Sequence, residues 1–308
     1  MNRIWWLMLS LVALVALTAA ACGDDDDDTG GAVTDESAYS RPELLESTES
    51  LTAALGKEDV VVVDLRSKEA YDEGHVPGAV WYDRTALKDG DDETYVIKGD
   101  DFAKKVGELG IDGTKHVIAY DDGNGLWSTR FWWVLRYYGH EEASVLNGGF
   151  AKWKADGGAV TKDSPSVTAV NFAAAPDEKA ICALDYVLDK VAENNDNVVI
   201  LDVRSAAEYT GSDVRADKGG HIPGAVNLDW VTSMTTGEPV VWKDAATLRK
   251  QFRDAGIGED TEVITYCQTA VRGAHSFFTL ALVGLGQARN YDGSWFEWGN
   301  REDTPIER

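Results

Sequence analysis

Short unbroken apolar runs alternate along this chain with stretches that carry apolar residues at helical spacing. Residues 60–63 are four valines, and residues 117–120 read Val-Ile-Ala-Tyr. Unbroken rather than alternating apolarity is what a strand covered on both faces requires. Between them, residues 101–109 read as a helix. The pattern returns at 198–201 and 263–266, and an apolar helical stretch follows at 277–285. Strand, helix and strand in this order predict an α/β fold of parallel sheets flanked by helices. Such sheets carry their chemistry in loops at the carboxyl ends of the strands.

The alternation is a duplication. Val60-Val61-Val62-Val63-Asp64-Leu65-Arg66-Ser67 returns as Val198-Val199-Ile200-Leu201-Asp202-Val203-Arg204-Ser205. Gly74-His75-Val76-Pro77-Gly78-Ala79 returns as Gly220-His221-Ile222-Pro223-Gly224-Ala225. The offset grows from 138 at the first pair to 146 at the second, which places an eight-residue insertion near residues 211–219. Asn147-Gly148-Gly149-Phe150 matches Asp292-Gly293-Ser294-Trp295. A repeat of this length is a duplicated domain, not a solenoid.

The chemistry concentrates in Tyr266-Cys267-Gln268-Thr269-Ala270-Val271-Arg272, between the fourth apolar run and its helix. A strand-to-helix loop turns backbone N–H groups into one bowl, and the helix start adds positive potential. A cysteine at its head is held as the reactive thiolate. Arg272 brings planar donors for an anion. The matching position in the first half is Asp121, a carboxylate in place of the thiol.

These segments resemble the rhodanese family of sulfurtransferases in its two-domain form, over residues 41–308. The family resemblance implies two tandem rhodanese-like domains, inactive at 41–160 and catalytic at 181–308, joined by a linker at 161–180. It implies Cys267 as the catalytic sulfur carrier, with Gln268, Thr269, Ala270, Val271 and Arg272 binding substrate. The substrates would be a donor such as thiosulfate and a thiophilic acceptor, cyanide or a thiol. The cysteine is itself the carrier, so no metal or organic cofactor is expected. The loop is similar to a Cys-Gln-Thr-x-x-Arg subgroup associated with thiosulfate. A 3-mercaptopyruvate sulfurtransferase is the alternative donor reading. The family's donor-binding arginine is replaced by Glu208, leaving Arg215 or Lys218 of the insertion as substitutes. Phosphatases and arsenate reductases of the same fold have a loop one residue longer, Cys-x5-Arg against Cys-x4-Arg here. A non-catalytic envelope binding or scaffold protein would have degenerate loops in both halves.

At the amino end, Arg3 and the apolar residues 4–17 lead through Thr18-Ala19-Ala20-Ala21 to Cys22. That is a secretory signal, residues 1–21. A cysteine after small residues resembles the lipobox of bacterial lipoproteins, with Cys22 as lipid attachment. Ordinary cleavage nearby, with Cys22 left free, is the alternative. Residues 22–40, with five aspartates in a row, read as an acidic tether. The expected location is the cell envelope or periplasm, with membrane contact only through that lipid, and a monomer is expected. The 29 Lys and Arg against 53 Asp and Glu give a net charge of −24, which argues against nucleic acid as partner. Only three cysteines occur and none has metal-ligand spacing, so Cys182 reads as a buried structural thiol. His275, eight positions after Cys267, reads as either a packed helix residue or a neighbour that lowers the thiolate pKa.

Overall fold

The computed structural model describes residues 37–308, except Glu93 and Asn194. Each half forms a five-stranded parallel sheet. In the first half the strands are β1 (Leu45–Glu46), β2 (Val60–Asp64), β3 (Val80–Trp81), β4 (His116–Tyr120) and β5 (Ala143–Leu146), in the order β1-β5-β4-β2-β3. Its helices are α1 (Thr48–Ala54), α2 (Lys68–Glu73), α3 (Gly99–Glu108), α4 (Leu126–Tyr137) and α5 (Gly149–Ala155). The second half repeats this with β6 (Ile181–Cys182), β7 (Val198–Asp202), β8 (Val226–Asn227), β9 (Glu262–Tyr266) and β10 (Gln287–Tyr291), in the order β6-β10-β9-β7-β8. Its helices are α6 (Leu184–Glu193), α7 (Ala206–Tyr209), α8 (Ala245–Asp254), α9 (Val271–Val283) and α10 (Ser294–Trp298).

The apolar runs became the central strands, β2 and β4, then β7 and β9. Val63, Val117, Leu201 and Val263 are fully buried, as helices on both faces demand. The helix after the cysteine loop starts earlier than its apolar stretch. It begins at Val271, because Ala270 turns into the left-handed region and starts the helix there.

The two halves meet through the helices that follow their central loops, α4 and α9, where Trp132 packs against Phe277 and Phe278. Two reciprocal bonds close the interface. The Val96 N–H donates to Asp292 at 2.7 Å, and the Trp242 N–H donates to Asn147 at 3.1 Å. Asn147 and Asp292 are matching positions of the repeat. The duplicated domains therefore exchange the same contact. Residues between them run over the first half, where the Val170 N–H reaches the Gly107 carbonyl and the Ala175 N–H the Tyr138 carbonyl.

Candidate active site

The strand end that carries the cysteine is braced from below. The Tyr266 hydroxyl donates to Asp202 at 2.6 Å, and Arg204 grips the same carboxylate with Nε and Nη2. Tyr120, Asp64 and Arg66 repeat that triad in the first half. A brace present beside both Cys267 and Asp121 belongs to the scaffold. His75 and His221 do too, stacked on Tyr71 and Tyr209 with Nδ1 on the same tyrosine's carbonyl.

Cys267 follows Tyr266 and is 1% exposed. No side chain caps the start of α9. Its first-turn amides are the groups a helix leaves without internal acceptors, and they carry positive partial charge beside the cysteine. Arg272 lies in that turn, within interaction range of the Cys267 side chain.

Arg272 is not a free cation. Its guanidinium meets Glu208 in a two-pronged pair, at 2.7 Å and 2.8 Å. Burial raises the Glu208 carboxyl, but hydrogen bonding and charge from Arg272 outweigh it and hold the group at about 2. Glu208 also accepts from the Ser205 N–H and hydroxyl, capping α7. The position that lacks the family's arginine therefore orients the loop's own arginine. Of the two insertion cations, Arg215 stands at this pair, 3.3 Å from Glu208 and half exposed. Its carbonyl accepts from Gln268 at 2.8 Å, which ties the insertion to the cysteine loop. Lys218 does not reach the site. It donates to the carbonyls of Arg301, Glu302 and Thr304, holding the carboxyl-terminal segment.

Among the backbone N–H groups of residues 268–272, that of Ala270 is turned to another partner. The Ala270 N–H donates to the Ser294 hydroxyl at 3.0 Å. The Ala270 carbonyl accepts from Asn290 at 3.0 Å. Arg130 of α4 pairs with Asp292 at 3.2 Å, so the first half braces the turn that carries Ser294.

The duplicate loop shows what this turn does with a negative group. The Asp121 carboxylate accepts the N–H groups of Gly123, Gly125, Trp127 and Ser128, at 3.0, 3.1, 2.9 and 3.3 Å. Burial raises the Asp121 carboxyl above the usual carboxylate range, and these four donors offset only part of that rise. The first cradle is filled by its own side chain.

The rhodanese-like domain family matches residues 47–156 and again residues 184–301. The chain belongs to the rhodanese family. A thiosulfate sulfurtransferase from Pseudomonas aeruginosa is 32% identical over 273 residues, 88% of this chain and 99% of that protein. The sulfur carrier protein TtuD from Thermus thermophilus is 33% identical, over 87% of this chain and 98% of its own. Among solved structures, the 3-mercaptopyruvate sulfotransferase SseA from Escherichia coli superposes with a TM-score of 0.72 at 30% identity, covering 82% of this chain and 98% of that one. The anaerobic ergothioneine biosynthesis enzyme from Chlorobium limicola shares the fold, with a TM-score of 0.79 at 23% identity over 87% of this chain and 71% of its own.

In this tandem rhodanese the other described cysteine, Cys182, is buried and burial pushes its thiol well up. Cys22 lies outside the described residues. Among the described residues no group of three or more His, Cys, Asp or Glu side chains is placed to hold a metal ion. His275 is fully buried at the interface of the halves, stacked on Trp242 and edge-on to Trp230. Neither ring nitrogen has a hydrogen-bond partner, although the Asn124 backbone lies near. It is a packed residue of the domain interface.

Burial pushes His275 down from 6.5 to about 3. Between those values the unfolded chain binds a proton that the folded chain refuses. The stability from neutral His275 is therefore complete above its unfolded value and is lost as pH falls toward the folded one. Between about pH 6.5 and 5 the expected loss is on the order of 1–2 kcal/mol. Denaturant unfolding of the protein and of His275→Phe at both pH values checks this, and the variant should lack that part of the slope.

Proposed function

We propose that the chain is a thiosulfate sulfurtransferase that works by double displacement on Cys267. The thiolate attacks the outer sulfur of thiosulfate, the sulfur–sulfur bond breaks, and sulfite leaves with the electron pair. Cys267 then carries a persulfide. An acceptor such as cyanide attacks the outer sulfur, thiocyanate departs, and the Cys267 thiolate is regenerated. First-turn amides of α9 and the Arg272 guanidinium, which Glu208 orients, hold the charged sulfur. The observation that carries this reading is the duplicate loop. There a loop one residue longer, at the same strand-to-helix junction, wraps the Asp121 carboxylate in four amides, and a cysteine heads the loop in the second half. The relatives named as thiosulfate sulfurtransferases support it.

The alternative donor is 3-mercaptopyruvate, favoured by the likeness to the Escherichia coli sulfotransferase. Arg272 and Arg215 favour the doubly charged thiosulfate. Steady-state kinetics with both donors should give the higher kcat/KM for thiosulfate, and rising salt should weaken its use. A higher value for 3-mercaptopyruvate would reassign the donor.

The amino-terminal reading stands on the sequence. The mature protein begins at lipidated Cys22 and works at the cell envelope on its acidic tether. Mass spectrometry of the amino terminus should find lipid on Cys22, and Cys22→Ala should leave the membrane fraction or stay unprocessed. An unmodified terminus at another residue contradicts it.

A further inference from the structure

Among the described residues only two non-glycine positions have a left-handed backbone, Ala270 at φ 60 and Ser294 at φ 50. An L side chain is strained there. The first-half loop is one residue longer, and the position before its helix that corresponds to Ala270 is Gly125, at φ 75; Gly149, at φ 51, corresponds to Ser294. The half with the aspartate uses glycine at both turns, and the half with the cysteine uses neither. Strain that persists only beside the cysteine calls for a local cause.

The two strained residues hold each other. The Ser294 hydroxyl accepts the N–H of Ala270 at 3.0 Å and that of Cys267 at 3.3 Å, and donates to the Tyr291 carbonyl at 2.8 Å. That uses its one proton and both lone pairs. Ser294 is fully buried. In the first half the loop is tied by the carboxylate of Asp121 itself, which takes the Gly125 N–H. A cysteine that must stay free to react cannot tie its own loop, and the hydroxyl does so from the turn after β10.

We infer that Ser294 is a positioning residue for sulfur transfer. It holds the amides of Cys267 and Ala270 and fixes the turn that presents the first-turn amides of α9 to the sulfur. This rests on Cys267 being the sulfur carrier.

Two variants test it. Ser294→Gly and Ser294→Ala both remove the hydroxyl, but only glycine relieves the left-handed strain, so their melting temperatures should differ. The measurement is single-turnover persulfide formation from thiosulfate, read by intact mass well below each melting temperature, together with KM. Both variants should lose rate by about 10-fold or more, with KM for thiosulfate changed by less than about threefold. A wild-type rate in Ser294→Gly, or rate losses that follow the two melting temperatures, would overturn the inference. If the unmutated protein forms no persulfide, the sulfur-carrier reading fails instead.

Discussion

Cys267→Ser is expected to abolish thiocyanate formation from thiosulfate and cyanide, while Cys182→Ser keeps most of it. The two thiols are chemically alike and differ in surroundings. Cys267 heads a loop with the uncapped start of a 13-residue helix and the Arg272 guanidinium beside it. Cys182 lies in the core of the second half, where burial holds its proton on. A serine alkoxide is not accessible at neutral pH, and oxygen cannot stand in as a carrier that must bond to sulfur and release it. The loss should be at least 1,000-fold, on the order of removing a nucleophile that acts with its cradle as a unit. Thiocyanate assays on the two variants check it, and substantial turnover by Cys267→Ser would sink the assignment.

Arg272→Ala should lower kcat/KM for thiosulfate by about 10- to 100-fold through the loss of a charge-assisted contact. It should also destabilise the fold, because the nearly buried Glu208 carboxylate is left with only Arg215 and the Ser205 donors. Breaking a buried pair from one side costs about 3 kcal/mol, less here because Arg272 keeps partial exposure. A stability loss alone therefore does not separate donor binding from loop support. Glu208→Gln does, since it keeps the side-chain shape and the α7 cap while freeing the charge of Arg272. KM for thiosulfate should fall several-fold if Arg272 holds the donor. An unchanged KM in Glu208→Gln, with equal losses for both donors in Arg272→Ala, would confine Arg272 to holding the loop.

The fold was legible because its signals are local and repeated. Four valines at 60–63 can only be satisfied by cover on both faces, and the second copy at 198–201 repeats the message. The cysteine loop was legible for the same reason, as a strand end followed by a helix. The partner of Arg272 was not legible, because Glu208 lies 64 residues away and reaches it only when α7 and α9 fold onto neighbouring strand ends. Glu208 reads in sequence as a missing arginine, whereas folding makes it the group that orients one. Lys218 and Arg215 are three residues apart in one insertion, and only its path decides which meets the site. For Ser294 a trace was present. The repeat sets Gly149 against Ser294, and a left-handed turn that needs glycine in one copy and has serine in the other marks a side chain with a task.

Cys267 is proposed to carry sulfur between donor and acceptor. Incubating the protein with thiosulfate, then taking intact mass and a peptide map, tests this most directly. The expected result is a gain of one sulfur atom, located on Cys267 and removed by cyanide with release of thiocyanate. No gain of sulfur, or a gain on Cys182 with Cys267 unmodified, would contradict it.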